Sequence, residues 1–552
     1  MKPSPPTLRS LVIAGAAVLA HLPVFRTWWC LDDWGQLARA ADHLERTGPA
    51  VRWLSQDLWW SATWPLFGLS VPLHTAARLT IFAASAAILG DLTARATGRD
   101  RAGILAGTLF AVSPVVFTPL FWASGIQTVL GAGAAIAAAW AWWRPRRRWA
   151  AALALVSIFA KECGLGLPLL FGLDLAVGSR STGTRRREDA VLVAVLALAA
   201  GVEAWLVLNG FAHGPGDAYR LGGPAMVAGN LGVFGWWLAT PGPVFSSSFD
   251  WSRAGTGGLV FVAWAAWGLL RWRRGDRLPA TALVAALISL APALPLVQQT
   301  HPYLATIAAA ALATTLGAAA PRVPFARRPV TALVVGGLVA LGVFNTAQRC
   351  IRPREDGRPA DPVVNAASWS RLTAAALAPA GPGPVVIYQP ALSGPRVAEA
   401  ARRGRDHVQP SPAWRAMEGT RGVDLVLGAP RRSAWWNSLA DLPADAWVLC
   451  ETPDGFERWG PATQALAYAA ILDLVVDQPG RARAHLLRFR ALGLAADLYH
   501  ADPAGFDVPV PLFTRGAAAF RRHLRADPGE PHVDRDLLAI LATLERRVQE
   551  GD

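Results

Sequence analysis

Charge and cysteine are scarce in this 552-residue chain. Only 17% of the residues are charged against 53% hydrophobic, and the mean hydropathy is +0.29, which excludes a disordered chain and exceeds what one soluble core needs. Four cysteines, Cys30, Cys163, Cys350 and Cys450, lie far apart without a CxxC spacing, so neither a zinc ribbon nor a dithiol redox motif is supported. There is no glycine-rich phosphate loop, no HExxH and no Gly-x-Ser-x-Gly elbow, and nucleotide-driven chemistry within the chain is not expected. Collagen-like, coiled-coil and low-complexity segments are also missing.

What is abundant is apolar sequence in runs of roughly 18 to 22 residues, the length that spans a bilayer as helix. The formal charge of +14 and pI near 10.8 would suit nucleic acid, but the arginines cluster between apolar runs, where they orient membrane helices, so no nucleic-acid partner is expected. A first span is read at 10 to 26, without a small-residue cleavage site, and is expected to stay as an anchor. Further spans are read at 73 to 92, 102 to 121, 123 to 143, 190 to 210, 257 to 272, 279 to 297, 302 to 320 and 329 to 347. The stretch from Trp149 to Gly178 lies between two arginine clusters, 144 to 148 and 180 to 187, that both favour the cytoplasm. It must therefore cross an even number of times, as two short helices with Lys161 and Glu162 at the outer turn, which also keeps that charged pair out of hydrocarbon.

Arg95, Arg99 and Arg101, Arg271 to Arg277, and Arg322 to Arg328 then fall on the inside. The expected fold is mainly α: a polytopic bundle of about eleven crossings, N-terminus cytoplasmic, provided that the segment Asn230 to Thr240 only dips into or lies on the membrane. The outer face receives the loop from Arg26 to Pro72, the loop from Phe211 to Met226, the turn Gln298 to His301, and everything after Cys350. Residues 1–350 form the membrane domain and 351–460 a water-exposed extracytoplasmic α/β region, with strands expected at Pro384 to Tyr388, Asp424 to Leu427 and Trp447 to Cys450. Residues 461–552 show helical periodicity at Gln464 to Val476, Arg481 to Leu492, Thr514 to Ala526 and Asp534 to Gln549, pairs that resemble tetratricopeptide packing.

The most informative short segment is Cys30-Leu31-Asp32-Asp33-Trp34 at the outer mouth of the first span. Adjacent carboxylates there cap a helix, bind a divalent cation or act as a general base, and a solvated loop is the plainer alternative. Two carboxylates alone do not make a metal site, so no metal ligand set is assigned and a divalent cation stays open. Trp28, Trp29, Trp34, Trp53, Trp59, Trp60 and Trp64 crowd the same loop, as an interfacial aromatic belt or as faces for a sugar. His213, Asp217, Tyr219 and Arg220 form a polar cluster in a later outer loop, where Arg220 suits a phosphate.

The order of Asp32-Asp33, Trp64-Pro65-Leu66 and His74 resembles the C superfamily of membrane glycosyltransferases (GT-C), near its protein O-mannosyltransferase-like and tetratricopeptide-bearing branches. The run Ala106 to Pro114, then Trp122 and Ser124-Gly125, is similar to the family's Phe-Ala-x-x-Pro, Trp and Ser-Gly segment. Lys161-Glu162 with Pro168 and Asp174 matches its Lys-Glu element, and Thr300-His301-Pro302-Tyr303-Leu304 falls where it has Arg-Tyr-Leu. The resemblance covers residues 10 to 350. It implies transfer of a sugar from a polyprenyl-phosphate carrier in the membrane to an outer protein, lipid or glycan acceptor. Asp32 or Asp33 would be the base, Lys161, Glu162, Arg220, His301 and Tyr303 would surround the donor phosphate, and His74, Trp34, Trp64 and Trp122 would line the substrate pocket.

The chain departs from the family at Thr118, where an acidic residue is common, and at Ile126 and Thr128, where charges are common. Trp64 and His301 stand where the family has arginine. These losses support a second reading, a non-catalytic binder or transporter of a lipid-linked saccharide.

Overall fold

The computed structural model describes residues 5–44, 51–144, 146–177, 184–211, 219–244, 251–297, 300–320, 328–353, 357–380, 383–389, 411–428, 433–436, 439–452, 455–476, 478–491 and 510–550. It is mainly helical and divides into two units, Met1–Ala367 and Ser368–Asp552. Six helices among the described residues are long and apolar enough to cross a membrane, seven with one bent pair, which marks a membrane protein.

The first unit runs α1 (Pro5–His21), α2 (Asp32–Ala40), α3 (Trp59–Phe67), α4 (Val71–Thr97), α5 (Asp100–Ala111), α6 (Phe117–Phe121), α7 (Ile126–Trp143), α8 (Arg147–Ala160), α9 (Leu167–Val177), α10 (Thr184–Gly210), α11 (Pro224–Ala239), α12 (Trp251–Arg273), α13 (Leu278–Leu290), α14 (Thr306–Ala319) and α15 (Arg328–Ile351). The expected span at 102 to 121 is broken, because Pro114 follows Ser113 and forces extended backbone before it; the two pieces meet at 44°. The segment after Trp149 is indeed two helices, α8 and α9, parted at Lys161, whose backbone is extended.

Charge assembles at opposite ends of this bundle. At one end Arg9 bridges Asp91 and Asp100, while Asp91 also accepts from Arg95 (2.7 Å), Trp140 Nε1 (2.7 Å) and Arg144 (2.9 Å). Arg99 donates to the Ala320 carbonyl just past α14 (2.8 Å). Arg9, Arg95, Arg99 and Arg144 thus share one end, tying α1, α4, α5, α7 and α14 together. Arg180, Arg322 and Arg327, and Gln298 of the expected outer turn, lie outside the described residues.

The segment Asn230 to Thr240 belongs to α11. Its Asn230 Nδ2 donates to the Leu294 and Leu296 carbonyls (2.8 and 2.9 Å), Thr300 donates to Asn230 Oδ1 (2.8 Å), and Asn345, two turns from the end of α15, donates to the Pro241 carbonyl (2.7 Å). The middle of α11 is therefore held by the stretch 294–300 and its C-terminal end by α15. Close packing on α12 needs glycine: a Cβ on Gly232 would stand 2.1 Å from the Ala254 carbonyl oxygen.

In the second unit β1 (Val385–Tyr388) lies between β2 (Ser433–Trp436) and β3 (Trp447–Thr452), parallel to both, and β4 (Gly455–Pro461) pairs antiparallel with β3. The stretch Asp424 to Leu427, expected as a strand, is the end of the helix Thr420–Leu427, closed by Gly428 in the left-handed conformation. So short an apolar run does not separate strand from helix, and the cap decides. Helices Ala462–Val475, Pro479–Ala491, Val510–Ala526 and Pro531–Glu550 follow, and their apolar faces share one core with the sheet. Within it His485 accepts from the Leu439 N–H (3.0 Å) and faces Asp473 (2.9 Å).

Candidate functional site

The end of the first unit opposite Asp91 carries the candidate site. After α1 the chain turns through Leu31, a non-glycine residue held at φ 56°, and this strained turn sends the two carboxylates of α2 in different directions. Asp33 goes inward and is fully buried. It accepts from the Cys30 N–H (3.0 Å) and from Ser124 through both N (2.6 Å) and Oγ (2.7 Å). Trp122 Nε1 donates to the Cys30 carbonyl (3.3 Å), and a Cβ on Gly125 would lie 2.4 Å from Pro119 Cα, which accounts for the Ser-Gly pair. Asp33 is thus the staple between the first outer helix and the start of α7.

Burial pushes the Asp33 carboxyl up to about 7, against the pull of Ser124 and Cys30. An unfolded aspartate titrates near about 4. Between those pH values the folded chain holds a proton that the unfolded chain releases, so stability falls as pH rises toward and through 7. Glu162, held at about 2, adds no slope there. His301, held at about 4, contributes a slope of the opposite sign below about 6.5. The Asp33 contribution is therefore read as a difference: the melting temperature of Asp33→Asn minus that of wild type should rise from pH 5 to pH 8, and a difference independent of pH would contradict it.

Asp32 goes outward and stays accessible to solvent. Its carboxyl is raised above the ordinary range by the protein packed around it, while Arg52, Lys161 and Arg39 oppose that rise. Arg52 is the residue that organises this side. It is buried, sits at φ 52°, and donates its backbone N–H to Glu203 (2.9 Å). Its guanidinium pairs with Glu162, reaches Gln127 Oε1 (3.2 Å) and the Tyr219 hydroxyl (3.4 Å), and lies 5.1 Å from the Phe211 ring centre. Tyr219 stacks on the same ring. Ser55 then pins the turn to the end of α8 by donating to the Ala160 carbonyl (2.7 Å).

Glu162 stands between two cations, since Lys161 Nζ is 3.7 Å away on its other oxygen. Burial would raise the Glu162 carboxyl, but Arg52 and Lys161 outweigh it and hold it at about 2. Lys161 is lowered, first by burial and then by Arg52. The charge of Lys161 is felt at His301 as well, which burial and that lysine keep neutral, with a pKa of about 4. His301 stacks on Tyr303 (5.2 Å between centres, 9° between planes), and Tyr303 meets Trp122 edge-on.

The fold therefore brings Asp32, Lys161, Glu162, His301, Tyr303 and Trp122 together around Arg52, Gln127 and Tyr219. Other expected site residues lie elsewhere. His74 is caged by Trp29, Trp60 and Phe67, with Nε2 3.2 Å from the Gly68 carbonyl, and Trp34 is fully buried. Trp64 is half-buried on α3. Arg220 is exposed, its carbonyl accepting from Val297 (2.9 Å), and His213 and Asp217 lie outside the described residues. At the departing positions, Ile126 and Thr128 are buried, and Thr118 accepts from Arg349 (2.9 Å), which is itself paired with Asp361 (2.8 Å).

Sequence reasoning missed Arg52. The one available signal was a basic residue in a tryptophan-rich loop on the face expected to carry few. No group of three or more His, Cys, Asp or Glu side chains suited to a metal ion occurs among the described residues, and Asp33 is turned away from Asp32 by its own donors. No family model and no curated protein matches the chain.

Proposed function

We propose that the chain is an integral-membrane glycosyltransferase that moves a sugar from a polyprenyl-phosphate donor to an acceptor outside the membrane. In this reading the bundle makes about eleven crossings, with the Asp91 end cytoplasmic and the Asp32 end and second unit extracytoplasmic. The observation that carries it is an accessible carboxylate, Asp32, facing two buried cations, Arg52 and Lys161, that share one close carboxylate, Glu162. A general base needs access and a pKa raised toward the working pH, and a leaving phosphate needs preorganised cations.

Asp32 takes the proton of the acceptor hydroxyl as its oxygen bonds to the anomeric carbon. The bond from that carbon to the phosphate oxygen breaks, the electron pair leaves with the phosphate, and Lys161 and Arg52 stabilise it. Attack opposite the leaving group inverts the anomeric centre. The tyrosines and Trp122 give the sugar aromatic walls. A second reading, a binding or transport role for the same cluster of residues, draws its support from uncharged Ile126 and Thr128.

The test is to incubate purified protein with radiolabelled polyprenyl-phosphate hexoses and pentoses and a membrane extract. Label passing to a new product is expected; donor binding with no product from any sugar would favour the binder or transporter.

A further inference from the structure

A concavity opens on the same helix that carries Asp32. It has a volume of about 430 Å³, within the range of small-molecule sites, and lies between α2 and the turn leading into α3. Gln36 and Arg39 on its wall follow Asp32 at four and seven residues, so all three share one helical face, with Gln36 a single turn of about 5.4 Å from Asp32. Arg39 is near enough to Asp32 to pull its carboxyl down.

Two deeply buried lining groups have hydrogen-bonding atoms with no partner. Gln36 is 5% exposed and its Oε1 is unpaired; Trp60 is 1% exposed and its indole N–H is unpaired. Buried polar atoms left so are costly unless something supplies the missing bond. One is an acceptor and the other a donor. Around them stand the carboxylates of Asp42 and Asp57, the amide of Gln56 and the hydroxyl of Ser61, while Ala40 and Leu44 are the aliphatic contacts. Asp42 is itself held at φ 58°, a strained conformation at the pocket wall.

We infer that this pocket binds the acceptor and that the acceptor is a neutral saccharide unit. The inference rests on the glycosyltransferase reading above and names its acceptor class. Each hydroxyl of a sugar both donates and accepts, which a wall of mixed amides, carboxylates, a guanidinium and a hydroxyl satisfies. Two carboxylates against one arginine disfavour an anionic ligand, and the scarcity of aliphatic lining disfavours an apolar peptide. The volume admits one or two sugar rings. A ring seated against Gln36 and Trp60 presents a hydroxyl along the helix toward Asp32, which takes that proton as the new glycosidic bond forms and the donor's bond to phosphate breaks.

The test uses the full chain in a detergent without a sugar headgroup. Methyl glycosides of glucose, mannose, galactose and arabinose, their disaccharides, glucuronate, and an N-acetylated serine dipeptide amide are titrated by saturation-transfer NMR. At least one neutral saccharide is expected to bind, at least tenfold more weakly in Trp60→Phe, Gln36→Leu and Asp57→Asn, and unchanged in Lys161→Met. Melting curves of the same samples identify any variant that misfolds, and the isosteric Asp57→Asn decides in that case. No neutral saccharide bound, preference for glucuronate or the dipeptide, or pocket variants binding as wild type would each overturn the inference. Saccharide binding lost in the variants, with no transfer from any donor, would uphold the pocket and sink the enzyme. Transfer whose acceptor KM ignores the variants would do the reverse.

Discussion

Asp32→Asn should lower turnover by roughly 10²- to 10⁴-fold, the usual loss when a general base is removed. Asparagine keeps the shape of the side chain, and Asp32 is solvent-accessible and makes no side-chain ion pair among the described residues, so the fold should not notice the change. The melting temperature and donor affinity should therefore stay at wild-type values. Asp33→Asn should behave in the opposite way, disturbing stability through Cys30 and Ser124. Adjacent carboxylates with opposite behaviour would separate the chemistry from the scaffold.

Arg52→Met should be the most disruptive single change at the site. It leaves Glu162, 13% exposed, with Lys161 at 3.7 Å as its charged neighbour, and removes the guanidinium donor from Gln127 Oε1 and the Tyr219 hydroxyl. Removing one partner of a buried pair costs about 3 to 5 kcal/mol, and the remaining lysine should hold the loss near about 3 kcal/mol. A polyprenyl-phosphate should then bind at least tenfold more weakly. Arg52→Lys should not restore it, because a lysine lacks the planar fork that reaches three side chains and rests on Phe211. Urea or thermal unfolding beside donor titration measures both effects; wild-type stability in Arg52→Met would contradict the pairing with Glu162.

The helices of the first unit were legible because long apolar runs have few alternatives, and the two helices around Lys161 followed from the charge on either side of them. The broken span at Pro114 was not, since its apolar run is continuous. In the second unit, strands Ser433–Trp436 and Gly455–Pro461 escaped notice because the first is only four residues long and charge interrupts the second, and their pairing partners lie elsewhere in the chain. The site divides along the same line. Asp32-Asp33 and Lys161-Glu162 could be singled out as adjacent charges, yet which aspartate is free to act depends on Ser124, 91 residues away. Arg52 gains its meaning from Glu162, Gln127, Glu203 and Tyr219, separations that no local pattern encodes.

The most direct measurement is a single-turnover chase. Purified wild type and Asp32→Asn are loaded with the labelled polyprenyl-phosphate sugar identified in the donor panel, then mixed with acceptor and sampled from milliseconds to minutes. Wild type should pass its bound label to acceptor in one exponential phase, faster as pH rises through the raised pKa of Asp32, while Asp32→Asn keeps the donor bound and intact. Transfer by Asp32→Asn at the wild-type rate would contradict a role for Asp32 as the base.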